Sequence, residues 1–188
     1  MTKTGKTVTV LAVLAAIASG VLYGKGLLND HHGANPPATL AALTLEKPAK
    51  AAPAIGFADI AGVRHALSAY KGRYVLLNMW ATWCAPCVSE LPALAQLKSA
   101  VPGLAVIAVD LTNNDKPADA DAFLKSHHAA SLGAYVDNDI TLMRAFGVAG
   151  LPTTVLVDPQ GKVIARAEGP AQWSAPESVD YFKDLTGS

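Results

Sequence analysis

A short apolar run, Arg73 to Trp80 (RYVLLNMW), ends four positions before Cys84, and Cys84 and Cys87 are the chain's two cysteines. The run suits a strand buried on both faces. From Cys84 to about Ser99 the spacing changes: Val88, Leu91, Leu94, Ala95 and Leu97 recur at roughly helical intervals, with polar residues between. The Cys-x-x-Cys is therefore expected where a buried strand hands over to the opening turn of a helix.

That position has chemical consequences. Unpaired backbone N–H groups and the helix macrodipole place partial positive charge at a helix N-terminus. A thiolate there is stabilised, and its pKa can fall from about 8.5 into the range of roughly 3.5–7.5. Cys84 comes first and is the expected exposed nucleophile; Cys87, one turn later, can resolve a mixed disulfide formed on Cys84. Pro86 restrains the intervening backbone and brings no N–H of its own. Trp83 either shields one side of the sulfurs or packs as an ordinary aromatic. Two cysteines in so short a loop restrain little of the unfolded chain, so the pair is read as reactive and not as a staple. A zinc half-site is the competing reading. It would need four ligands, and only His127-His128 offers a second pair. Adjacent histidines at a helix end read more simply as a solvated cap. No metal and no cofactor is assigned.

The rest of the chain alternates between the two periodicities. Phe57 to Ile60 reads as an edge strand and Val63 to Tyr70 as a short helix. Pro102-Gly103 closes the cysteine-bearing helix, and Leu104 to Val109 (LAVIAV) gives a second buried strand. A helix near Pro117 to His127, a brief strand at Ala134 to Val136 and a short helix at Ile140 to Phe146 follow. Thr153 to Val157 and Lys162 to Ala167 flank Asp158-Pro159-Gln160-Gly161, a hairpin signal. A last helix spans Ala175 to Leu185. This order predicts an α/β fold in which a central mixed sheet is flanked by helices on both faces.

The N-terminus is different. Apolar residues form 51% of the chain, but part of that share is Thr7 to Tyr23 (TVTVLAVLAAIASGVLY), an uncharged run preceded by Lys3 and Lys6. As a helix it reaches about 25 Å, slightly less than the ~30 Å hydrocarbon core of a bilayer. Residues 1–6 are read as a cytoplasmic N-terminus and 7–23 as one transmembrane anchor or signal sequence. Ala16-Ile17-Ala18 offers a cleavage site, which would instead release a soluble exported protein. Residues 24–52, rich in Gly, Pro and Ala, read as a flexible linker, with His31-His32 inside it, and 53–188 as the folded domain. Fifteen basic and fifteen acidic side chains balance to a net charge of zero, and no basic face for nucleic acid is visible.

The segments WATWCAPCVSELPAL (Trp80 to Leu94) and GLPTTVLVDPQGKV (Gly150 to Val163) resemble the membrane-anchored thioredoxin-like proteins of the TlpA/ResA/DsbE group. The resemblance covers about Pro53 to Leu185 and implies a thioredoxin-like fold. It implies a monomeric thiol–disulfide oxidoreductase on the bacterial inner membrane, its catalytic domain in the periplasm. Such a protein would accept electrons from a membrane donor of the DsbD/CcdA type and reduce apocytochrome c or copper-site assembly proteins. Leu151-Pro152 matches the group's cis-proline loop, which presents backbone to an incoming peptide. Glu90 matches an acidic residue held to lie under the disulfide and move protons; an exposed helix-surface glutamate is the other reading. Asn78 stands where ordinary thioredoxins carry a buried aspartate, so a proton route, if needed, falls to Glu90. A disulfide oxidase or isomerase, a thiol peroxidase and a metal carrier are the alternatives.

Overall fold

The computed structural model describes residues 35–112 and 116–188. The strands are β1 (Leu43–Ala51), β2 (Gly56–Asp59), β3 (Arg64–Ala66), β4 (Tyr74–Trp80), β5 (Leu104–Asp110), β6 (Tyr135–Val136), β7 (Thr153–Val157) and β8 (Lys162–Glu168). The α-helices are α1 (Ala85–Ala100), α2 (Pro117–Ser126), α3 (Thr141–Ala145) and α4 (Pro176–Thr186). The strands join in one mixed sheet in the order β1-β8-β7-β4-β5-β6-β2-β3. β4 runs parallel to β5 and antiparallel to β7.

Strand alternation sorts the core into two layers. Leu76 and Trp80 of β4, Val106 and Ala108 of β5 and Leu156 of β7 pack with Leu91, Leu94 and Leu97 of α1, Leu124 of α2 and Phe182 of α4. Val75, Leu77 and Met79, with Ile107, Val109 and Val155, point the other way, onto Leu67, Leu142 and Phe146. The central strands β4, β5 and β7 are thus covered on both sides, as their largely apolar sequences require. Each fully buried side chain of this size contributes about 1.5–3 kcal/mol relative to exposure. The hairpin between β7 and β8 is fastened by Asp158, whose Oδ1 accepts from the N–H groups of Gln160 (3.0 Å) and Lys162 (2.8 Å).

Two expectations need correction. The stretch read as linker through Ala52 is structured well before that residue. Ala38–Leu40 forms a 3-10 turn with Leu40 buried, and β1 pairs antiparallel with β8, extending the sheet by one edge strand. Its strand character is hard to see because one face is exposed and Pro48 interrupts it, as an edge position tolerates. The compact unit begins at Asn35. Val63 to Tyr70, read as a helix, is instead β3 followed by a 3-10 turn at Leu67–Tyr70, because β3 pairs with β2 as a small hairpin. The apolar run at 7–23 and His31-His32 lie outside the described residues. Among those described, no helix is long and apolar enough to cross a membrane.

Candidate active site

The two sequence segments singled out above meet because of the sheet register. Met79 of β4 pairs with Thr153 of β7, so Trp80 and Pro152 leave the sheet side by side, at one end. Trp80 also pairs with Asp110 at the close of β5. From that end the chain runs through Ala81, Thr82 and Trp83 into Cys84, the N-cap of α1, with Pro86 in the helix's first turn. The connection is clamped. Thr112 Oγ1 accepts from the Thr82 N–H at 2.9 Å and donates to Asp110 Oδ1 at 2.5 Å, while the Leu111 N–H donates to the Trp80 carbonyl at 2.8 Å.

Cys84 and Cys87 are joined as a disulfide, with their Cα atoms 5.3 Å apart. Cys84, expected to be exposed, is instead only 5% exposed, because the bonded pair packs into the core cluster that includes Trp80 and Ala81, and Cys87 is fully buried. The first turn of α1 carries no acidic residue, and no side chain caps it, so its positive end acts on the Cys84 sulfur without a competing anion. Trp83 is 71% exposed beside the pair, so it offers an apolar surface to solvent and is not a core aromatic. Pro86 is exposed as well. The Leu151-Pro152 bond is cis, and Leu151, half-buried, packs against both core layers. The Pro152 carbonyl accepts from the N–H of Gly169, which follows β8 with φ +99°.

Glu90 is 3% exposed and faces the sheet, so it is not an exposed helix-surface residue. It lies one turn beyond Cys87 on the buried face of α1, which also includes Leu91 and Leu94. Its Oε1 accepts from Asn78 Nδ2 at 2.8 Å. Its Oε2 accepts from the Trp173 indole Nε1 at 2.7 Å and from the Ala171 N–H at 3.3 Å. Burial pushes the Glu90 carboxyl above its ordinary range, and the bonds from Trp173, Asn78 and Ala171 oppose that shift without cancelling it. Asn78 reaches Glu90 because it stands on the α1 side of β4, opposite Thr154, whose Oγ1 takes the amide's second hydrogen at 2.9 Å.

Asn78 and Glu90, singled out separately, are thus brought into contact. Trp173, Ala171, Thr154 and the Thr82–Thr112–Asp110 clamp were not visible beforehand. Trp173 had one signal, a large aromatic set in the loop sequence GPAQWSAP. The clamp had none, since threonines near strand ends are commonplace. His127 is not brought to the cysteines: its Nδ1 donates to the Phe123 carbonyl at 2.9 Å and its ring stacks on Phe123.

Chemically, a disulfide at a helix N-terminus can exchange with another disulfide or dithiol, and a buried carboxyl one turn further along the helix can hold a proton. Comparison with known proteins agrees. Residues 48–166 match the AhpC/TSA family. The thiol-disulfide oxidoreductase ResA of Bacillus thuringiensis subsp. konkukian is 32% identical over 139 residues, 73% of this chain and 78% of that protein. The crystal structure of a candidate thiol:disulfide interchange protein DsbE from Chlorobium tepidum superposes with a TM-score of 0.58 at 29% identity, over 76% of this chain and 96% of that one. The exposed lipoprotein thioredoxin Etrx1 of Streptococcus pneumoniae gives a TM-score of 0.58 at 25% identity, over 72% and 100%. The chain belongs to the ResA-like thiol–disulfide oxidoreductases, thioredoxin-fold enzymes within the AhpC/TSA family.

Proposed function

We propose that this oxidoreductase works as a reductase on the outer side of the bacterial inner membrane, cycling Cys84 and Cys87 between dithiol and disulfide. A membrane dithiol donor of the DsbD/CcdA type supplies two electrons and two protons, becoming a disulfide as Cys84–Cys87 opens. The Cys84 thiolate then attacks one sulfur of a substrate disulfide, and the first substrate thiolate leaves. Cys87, deprotonated, attacks Cys84 Sγ and expels the second substrate thiolate. The enzyme disulfide re-forms and the substrate gains two thiols. Glu90 takes the Cys87 proton in that last step. Trp83 and Pro86 give the substrate an apolar seat, and Leu151 offers backbone for strand-like pairing beside Pro152. Apocytochrome c or a copper-site assembly protein is the substrate class that the family likeness favours.

The observation that carries this reading is the buried Glu90 carboxyl, one turn behind a fully buried Cys87. A resolving thiol without water access needs a proton acceptor inside the fold, and Glu90 is the carboxyl on that face of α1. The uncharged run at 7–23 behind two lysines supports a retained single-span anchor, and the relative described as an exposed lipoprotein supports an extracytoplasmic site. The test is a trap. With Cys87→Ser, the mixed disulfide on Cys84 cannot resolve, and partners recovered from membranes should be a small set rich in paired cysteines. Recovery of a random sample of exported proteins would argue against a dedicated reductase.

A further inference from the structure

Trp173 lies in the segment between β8 and α4, away in sequence from every cysteine, yet its indole is fully buried and makes a polar contact inside the site. The segment carrying it is fixed from several sides. Gly169 N–H donates to the Pro152 carbonyl at 2.9 Å, which ties the start of the segment to the cis-proline loop. Gln172 N–H donates to the Thr39 carbonyl at 3.1 Å, and Ser178 Oγ lies 2.8 Å from both the Gln172 carbonyl and Thr39 Oγ1. The Trp173 ring packs near Phe182, with centroids 6.4 Å apart. The indole therefore meets Glu90 preorganised, with little freedom left to lose.

We propose that Trp173 is a positioning residue for thiol–disulfide exchange: its indole N–H holds the Glu90 carboxylate in the orientation that accepts the Cys87 proton. This rests on the assignment of Glu90 to proton transfer. The groups bonded to Glu90 are Asn78 on β4 and Ala171 and Trp173 on the loop before α4, with Thr154 of β7 bonded to Asn78, and Cys87 precedes Glu90 by one turn among the buried residues of α1. None of these partners is a charged side chain. Hydrogen bonds alone thus favour the ionised carboxylate against burial, and the Trp173 bond, at 2.7 Å, is the shortest of them. An indole can only donate, so the contact supports the carboxylate and does nothing comparable for a protonated oxygen turned toward it.

The experiment follows resolution of the mixed disulfide between Cys84 and glutathione. Acid quenching of the reduced full-length enzyme mixed with oxidised glutathione would be read by mass spectrometry from pH 5 to 9. In the unsubstituted enzyme the rate should rise with pH through a Glu90-dependent limb. Trp173→Phe keeps the aromatic packing and removes the N–H. It should slow resolution about tenfold on the acid limb, the size of one charge-assisted hydrogen bond, move the midpoint upward and leave the alkaline plateau unchanged. In the Glu90→Gln background the same substitution should add nothing. An unchanged profile in Glu90→Gln would overturn the proton-transfer assignment itself. A normal Glu90 dependence with an unmoved midpoint in Trp173→Phe would overturn only the role of Trp173, as would an equal slowing in both backgrounds. A second measurement does not depend on that variant folding. The Trp173 indole proton of the unsubstituted protein, distinguished from those of Trp80 and Trp83 by Trp80→Phe and Trp83→Phe, should shift with pH at the midpoint seen in the kinetics. An indole signal that does not titrate would contradict the proposal.

Discussion

The side-chain amide of Asn78, on the strand leading to the active site, donates to the carboxylate of Glu90 at 2.8 Å on the helix leaving it. An asparagine here supplies a neutral donor where a second acid would repel the first. Asn78→Asp should therefore force two buried carboxyls to share a proton and titrate as a pair. The variant should lose about 2–4 kcal/mol at pH 8 and much less at pH 5. Urea unfolding at the two pH values would show it; equal losses would mean that the pair is better solvated than its burial indicates.

Glu90 also sets a pH dependence of stability. Its carboxyl is raised by burial in the folded protein, so between the ordinary glutamate pKa and the raised one the folded state binds more protons than the unfolded. Stability should fall as pH rises through that window, by up to about 1.4 kcal/mol per pH unit, then level off. Glu90→Gln should remove the slope. It should also cost a roughly constant amount, because the amide NH2 would have to face one of the donors Asn78 and Trp173. Thermal or urea melts from pH 4 to 8 would test the difference in slope.

The two thiols of the reduced enzyme should differ in reactivity. Cys84 caps α1 and Cys87 is sealed inside the core. Alkylation with iodoacetamide at pH 7 should modify Cys84 first, with a midpoint below the ~8.5 of a free thiol. Peptide mapping after a timed quench would separate the two. Faster modification of Cys87 would reverse the assigned roles.

The clamp behind the cysteine loop should matter more than its residue types indicate. Thr112→Val removes the acceptor of the Thr82 N–H and the donor to Asp110. A loss of about 1–3 kcal/mol is expected, with Thr112→Ser retaining most of the stability. A stable Thr112→Val beside a destabilised Thr112→Ser would assign the effect to packing of the methyl group instead.

The strand-then-helix setting of Cys84 and Cys87 was legible because a buried strand and an amphipathic helix have different periods. Leu76, Leu94 and Leu156 occupy core positions that this periodicity marks. β1 was obscured because an edge strand buries little and tolerates Pro48, so its composition resembles a tether. β3 was obscured because three residues carry too little pattern to separate strand from helix. At the site, Glu90 and Asn78 each drew notice, but their contact depends on the β4–α1 packing, which spacing alone does not fix. Trp173 is 83 residues from Glu90 in sequence, and no local rule links them. The fold's outline is local information; the polar network under the disulfide is tertiary.

The reductase account is tested most directly by the reduction potential of the Cys84–Cys87 couple, measured against glutathione or dithiothreitol buffers at pH 7. A dithiol that donates electrons to other disulfides should lie below about −200 mV, in the range of thioredoxin and the glutaredoxins. A value near −120 mV, that of a strong disulfide donor, would contradict the account and make the enzyme an oxidase.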